Sequence, residues 1–431
     1  MQRLSRKPRV FLGLTEVAGY YRNLELGFRQ IGVDARFFDL SPNPFGYGNR
    51  PQATDQARVA AVTRPGRVNP RRRFRAVGWR VTRRAVRLVK TIALMAWGIV
   101  RYDVFIFYGL DSFLWYRDLP ILRALGKTVI YVLNGSDHRP PYLNGKFVRK
   151  VDQHKSGWLT KETMRVKRRV ERIERHANAI VALSSSAQFH TRPFLHFLAM
   201  GLPHPEAHAL AASPAGGGPT RILHSPSDPI SKGSDHIRAC VARLQSEGHD
   251  LEYIELVGRP NAEVLAAVAR ASFVVDEMYS DTPMAGFAVE AAWQGKATVV
   301  SGLYAAEVAK DLPADLIPPT VFCLPDEIDQ AIERMVVDVS TRDDVGRRAR
   351  AYVETRWRPA EVAARFLAVM EGRAPAEWSY QPDRLRYFGG WGMPQSMVRK
   401  GVSTILDQGG VSALKLDHHP ALLRAVVEFA R

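Results

Sequence analysis

The sequence predicts an α/β protein of two doubly wound, Rossmann-like domains facing each other across a cleft. Three observations carry this prediction. Short apolar runs rich in β-branched and aromatic residues alternate with amphipathic helical stretches, the order that builds parallel sheets. Glycines punctuate the junctions: Gly19 after the run Val10 to Leu14, Gly258 after Leu251 to Val257, and Gly295 before Ala297 to Val300. The alternation breaks clearly at Pro203 to Pro219, where Gly216, Gly217 and Gly218 mark a linker. With 431 residues there is chain for two ordinary domains and real cores. The expected division is a first domain at 1–205, a linker at 206–219, a second domain at 220–375, and an extension at 376–431 that packs back on the first.

In the first domain, VFLGL reads as a strand, and Tyr20, Leu24, Phe28 and Ile31 form the apolar stripe of the helix that follows. Gly32 ends that helix and Ala35 to Leu40 is the second strand. This strand–glycine turn–helix–strand unit lacks a full G-x-G-x-x-G, so it is a weak pointer to a nicotinamide cofactor. Residues 41–69 are rich in Pro, Gly and Asn and read as irregular loop. Asp103 to Tyr108 is a buried strand, Leu119 to Gly126 a helix, and Thr128 to Leu133 a strand ending in Asn134, Gly135, Ser136, Asp137, His138 and Arg139. A charged helix, Lys161 to His176, leads to a closing strand at Ala179 to Leu183.

The second domain opens with strand Arg221 to His224, the loop SPSDPISKGSD and a helix from Asp235 to Glu247. Strand Leu251 to Val257 and helix Ala262 to Ala271 follow, with later helices at Ile328 to Asp338 and Thr341 to Thr355. The whole chain is organised around Ala271 to Gly302. There a buried strand, Phe273 to Val275, ends in Asp276, and a loop of small residues opens a short helix, Phe287 to Gln294. A helix start beside strand ends presents unpaired N–H groups and a positive dipole, which suits a phosphate. Glu290, one turn further in, is placed to accept hydrogen bonds from a ribose diol; a solvated helix position is the competing reading.

Composition narrows the class. A hydrophobic content of 46% and a charged content of 24% are globular values and exclude a disordered or fibrous chain. Cys240 and Cys323 lack metal-ligand spacing, which fits a reducing, cytoplasmic compartment. The apolar runs at Val10 to Leu14 and Thr91 to Val100 are too short for a secretory signal or a membrane span. The formal net charge of +18 has a local source, because Arg64 to Arg101 holds twelve Arg or Lys and no acid. Arg80, Arg83, Arg84, Arg87 and Lys90 fall on one side of a helix over about 70–100, and Val77, Val81, Ala85, Leu88, Ile92 and Met95 on another. That pattern fits an interfacial helix on an anionic membrane surface, on the inner face of the membrane; an arginine-rich outer face of a domain helix is the alternative. Phe74 and Trp79 are the only aromatics among the block's basic residues before the apolar run, so nucleic acid is not the expected partner.

The motif GFAVEAAWQGKATVVSG resembles the signature of glycosyltransferase family 4, and HSPSDPISKGSDHI, LVGRP, the Gly19 turn and DLPILRALGKTVIYVLNGSDHR are similar to its other landmarks. The resemblance covers Val10 to Met370 and implies the GT-B fold. It implies a transferase moving a sugar, with retention and without a metal or cofactor, from a nucleotide-diphosphate sugar to a sugar or lipid-linked envelope acceptor. By position, Glu290 would hold the donor ribose, while Lys232 and the backbone at Gly286 and Phe287 would neutralise the leaving diphosphate. Gly19 would let the first-domain loop approach that diphosphate, and Gly258 would lie by the base. Thr282 stands where the family has a second glutamate, with Asp281 beside it, Pro226 replaces a basic residue, and Asn134 replaces a histidine. Asp281 or Thr282 would then face the donor sugar, and Asn134 and Asp137 join Lys232 as the catalytic candidates. A non-catalytic GT-B protein that binds a nucleotide sugar or acts as a scaffold is the alternative these departures keep open.

Overall fold

The buried runs become the inner strands of two sheets. The computed structural model describes residues 7–40, 86, 88–204 and 218–431. In the first sheet, β1 (Val10–Leu14), β2 (Ala35–Asp39), β3 (Val104–Tyr108), β4 (Thr128–Val132), β5 (Ala179–Ala182) and β6 (Phe194–His196) are parallel. In the second, β7 (Thr220–His224), β8 (Leu251–Glu255), β9 (Phe273–Val275), β10 (Thr298–Ser301) and β11 (Val321–Cys323) are parallel too. A last strand, β12 (Ser379–Tyr380), adds antiparallel to β6. The spatial orders are β12-β6-β5-β4-β3-β1-β2 and β11-β10-β9-β7-β8. Each order reverses once, beside β1 in the first sheet and beside β7 in the second. Crevices for ligands open at the carboxyl ends of strands at such points.

Two layers cover the first sheet. On one face Phe11, Phe105 and Phe107 pack with α3 (Leu119–Ala124) and α4 (Trp158–His176) through Leu122, Val166 and Val170. The partly buried Leu94, Met95 and Ile99 of α2 (described at residues 88–101) join that face. On the other face Val10, Leu12 and Ile106 meet Leu24 and Phe28 of α1 (Tyr20–Gln30). In the second sheet, α5 (Ser234–Ser246), α6 (Asn261–Arg270), α7 (Gly286–Trp293) and α8 (Ile328–Val337) supply the cover, with α9 (Val339–Arg356) behind α7.

The chain then returns to the first sheet. Helix α10 (Pro359–Met370) lies against α1, close enough that a Cβ on Gly27 would sit 1.9 Å from the Pro359 carbonyl oxygen. Helix α11 (Gln395–Gly409) sends Val398, Val402 and Ile405 into the core with Val166, followed by α12 (Pro420–Ala430).

Several expectations are corrected. The strand ending near Leu183 does not close the first sheet, because the short runs Phe194–His196 and Ser379–Tyr380 extend it. Pro229–Lys232, expected as loop, forms a helical turn, because Asp228 caps it by accepting the Ser231 N–H and Pro229 fits the first helical position. The predicted linker lies almost wholly outside the described residues, as does the basic block up to residue 85 and Arg87. Among the described residues no helix is long and apolar enough to cross a membrane.

Candidate functional site

A cleft of about 460 Å³ opens where the β1–α1 turn faces the carboxyl ends of the second sheet. The first-sheet wall is Glu16, Val17 and Ala18. This turn is built by its own acid: the buried Glu16 carboxylate accepts N–H bonds from Val17 at 2.8 Å, Tyr21 at 3.2 Å and Arg22 at 3.1 Å. Burial raises the Glu16 pKa, against the pull of those N–H groups. Gly19 starts α1 with φ 79°, a left-handed conformation that favours glycine, and the adjoining Ala18 lines the cleft.

The opposite wall collects Ser225 to Ser227 after β7, Lys232, Gly258 to Asn261 after β8, and the start of α7. Ala285, Gly286 and Phe287 bring the first-turn N–H groups of that helix, which lack intrahelical acceptors, to the cleft. A Cβ on Gly286 would lie 3.8 Å from the Ala18 Cβ, so the two walls nearly touch there. Glu290 is buried and accepts a hydrogen bond from Asn261 Nδ2 at 2.7 Å. Lys232 Nζ donates to Asp276 Oδ1 at 2.8 Å and lies 3.2 Å from Glu277 Oε2. Burial works against its charge, but Asp276 and then Glu277 outweigh that and hold the pKa above the ordinary lysine range. Asp276 and Glu277 thus favour the charged form of Lys232 and hold its ammonium in place. Arg259, which sequence reasoning passed over inside LVGRP, is exposed and adds a second cation to the same wall.

Lys232, Gly258, Gly286, Phe287 and Glu290 are therefore brought together, with Gly19 one residue behind the opposite wall. Asn134, Asp137, Asp281 and Thr282 are not among the residues that line the cleft. Asp281 instead forms a buried ion pair with Arg139 across the two sheets, Thr282 follows it in the chain, and Asn134 and Asp137 lie in the loop that leads to Arg139. Ser185 Oγ also lies 3.4 Å from Asp281. Asp137 is a loop-holder: its carboxylate accepts N–H bonds from Asn134 at 3.2 Å and Gly135 at 2.9 Å, and burial pushes its pKa up to about 6. The Asn134 Oδ1 and Thr282 Oγ1 atoms are buried without a hydrogen-bond partner among the described residues.

His224, His138 and His190 are engaged in buried contacts. His224 places Nδ1 2.8 Å from the Val275 carbonyl and Nε2 2.8 Å from Ser234 Oγ. His138 lies 3.1 Å from His190 and 3.0 Å from Ser186 Oγ, while His190 reaches Glu174 at 3.0 Å. His176, near the end of α4, is half-buried. Among the described residues no group of His, Cys, Asp and Glu that could hold a metal ion comes together.

No protein-family model matches the chain, and neither does any curated protein sequence. Solved structures do match its fold. The catalytic domain of starch synthase IV from Arabidopsis thaliana, bound to ADP and acarbose, aligns with a TM-score of 0.52 at 10% identity, over 85% of this chain and 99% of that one. HepE of Anabaena in complex with UDP-glucose aligns with a TM-score of 0.45 at 12% identity, over 84% and 99%. The chain has the GT-B fold: two Rossmann-like α/β units facing across a cleft.

Proposed function

We propose that this GT-B chain is a glycosyltransferase that takes a sugar from a nucleotide-diphosphate sugar and passes it, with retention and without a metal, to a lipid-linked or envelope-glycan acceptor. The observation that carries the proposal is the convergence, in one cleft, of a helix N-terminus, the cations Lys232 and Arg259, and the buried acceptor Glu290. The starch synthase structure of the same fold holds ADP, which supports a nucleoside diphosphate as the occupant. In this reading Glu290 accepts the ribose hydroxyls, and Gly258 to Asn261 flank the base. The Gly286 and Phe287 N–H groups, with Lys232 and Arg259, stabilise the charge that grows on the diphosphate as the sugar departs. Asn134 and Thr282, each with a buried side-chain oxygen that has no hydrogen-bond partner among the described residues, are the candidates for contact with the sugar hydroxyls. Lys232 and Asn134 are the catalytic candidates, with Asp137, first a candidate itself, holding the loop that carries Asn134, and Asp281 joins Thr282 on the donor side. The motif resemblance to glycosyltransferase family 4 supports the same roles. The chain divides into 1–205, 206–219, 220–375 and 376–431, the last part belonging with the first.

The exposed apolar side chains Leu88, Val89, Ile92, Trp97 and Val100 of α2 support docking on the cytoplasmic face of a membrane through 64–101, where acids are absent. One observation favours a second reading, a nucleotide-sugar binder without turnover: Asp281 is already tied to Arg139. Melting-temperature shifts across UDP, GDP and ADP sugars, followed by a transfer assay with whichever donor binds, test both. A shift with sugar release supports the transferase, a shift without release the binder, and the absence of any shift removes both.

A further inference from the structure

A second cavity, of about 440 Å³, lies on the first lobe away from the cleft residues. One wall is α4, where Lys161, Arg165, Arg168 and Arg172 follow at spacings of four, three and four and so share a face. Arg169 and Met164 complete that wall, and Trp115 and Tyr116 form the other. No carboxylate lines the cavity. Glu162 pairs with Arg165 at 2.9 Å, and Arg169 donates to the Asp137 carbonyl at 3.0 Å. Lys161, Arg168 and Arg172 are exposed and have no carboxylate partner among the described residues. Apart from Glu162 and the buried Asp137 behind Arg169, little negative charge offsets this face, so it attracts anions.

The aromatic wall is held in place against local preference. Trp115 and Tyr116 are consecutive non-glycine residues with φ 49° and 67°, and Trp115 is 72% exposed. Such backbone persists only where its surroundings over-determine it. Here Asp118 does so, accepting from Ser112 Oγ at 2.7 Å and from the Phe113 and Leu114 N–H groups at 3.1 Å. Tyr116 Oη donates to the Gly109 carbonyl at 2.7 Å. These bonds fix the backbone on both sides of Trp115, whose exposed indole lines the cavity beside the arginines.

We infer that this cavity binds the phosphoryl or diphosphoryl group of the acceptor. Guanidinium forks match phosphate oxygens bidentately, and the exposed indole offers an apolar face to the group the phosphate carries. The cavity adjoins the loop after β3 and, through Arg169, the loop after β4, at the same carboxyl end of the first sheet's strands as the Glu16 to Gly19 turn. Naming its ligand the acceptor rests on the transferase proposal; the phosphoryl chemistry does not.

Inorganic pyrophosphate is the probe, titrated calorimetrically into wild type, an Arg168→Ala/Arg172→Ala variant and an Arg259→Ala variant that weakens the cleft instead. Exposed alanines keep the helix, and an unchanged melting temperature checks this. Wild type binds saturably, the α4 variant at least tenfold more weakly, and Arg259→Ala retains the α4 component. Equal binding by the α4 variant and wild type, or no saturable binding at all, overturns the assignment. Flotation with phosphatidylglycerol vesicles separates the sources. A loss in the α4 variant, with displacement by pyrophosphate, identifies a lipid headgroup, and vesicle binding unchanged beside lost pyrophosphate binding identifies a water-soluble phosphate ester. Should pyrophosphate bind on α4 while no nucleotide sugar shifts the melting temperature, the transferase reading falls and the phosphoryl site stands.

Discussion

Glu290 carries the most specific residue-level claim. It is buried, it accepts from Asn261, and it lies one turn inside the helix whose start faces the cleft. Glu290→Ala should weaken nucleotide-sugar binding by roughly 1.5–3 kcal/mol, the worth of hydrogen bonds to a charged acceptor. Calorimetry on the best donor reads this directly, and an unchanged Kd would contradict the ribose role. Asp137 gives a second test, through pH. Burial raises its pKa to about 6, so the folded chain holds that proton more tightly than the unfolded chain does. Its stabilising contribution is full below the usual aspartate pKa of about 3.8 and is lost as pH rises through about 6. The melting temperature of Asp137→Asn, relative to wild type, should therefore climb from pH ~4 to ~7; a flat difference would show that Asp137 is not the titrating group. Glu290 was legible from its place one turn inside a helix that opens beside strand ends, and Lys232 from the motif resemblance. Arg139 was not, because its partner Asp281 lies 142 residues away and local pattern carries no record of such a pair.

Among the elements, the legible ones were long and buried. VFLGL, VFIFY and TVIYV stand as continuous apolar runs because both faces of an inner parallel strand are covered. Phe194–His196 and Ser379–Tyr380 are too short for any period to show, and they take strand form only because an edge is there to receive them. Helix α11 was missed behind the aromatic, glycine-rich stretch before it, although Val398, Val402 and Ile405 carry a helical spacing. The return of α10 onto α1 depends on Gly27, where an added Cβ would meet a backbone oxygen that cannot turn aside. Gly27→Ala should cost about 1–3 kcal/mol of stability, read as a lowered urea midpoint. An unchanged midpoint would mean that α10 does not press on α1 in solution.

At the scale of the molecule, the two-sheet plan followed from the alternation of runs and from the proline- and glycine-rich break, and the extension at 376–431 was expected against the first domain, whereas the strand and helix that it contributes there were not. Its β12 strand and α11 helix belong to the first core through contacts made across most of the chain's length, which no window of sequence contains. Membrane docking is also a whole-molecule property, since it needs the basic block, the exposed apolar side of α2 and the cleft on one body. The protein should float with phosphatidylglycerol vesicles at ~50 mM salt and much less at ~500 mM, as screening shortens the reach of its charge. Absence of binding at either salt would remove the membrane claim. The central claim is that a nucleotide-sugar diphosphate lies between the lobes. A crystal structure with the nucleotide that shifts the melting temperature tests it most directly. Phosphate oxygens are expected within hydrogen-bond reach of the Gly286 N–H, with the ribose on Glu290; a nucleotide bound elsewhere, with that cleft empty, would contradict this placement.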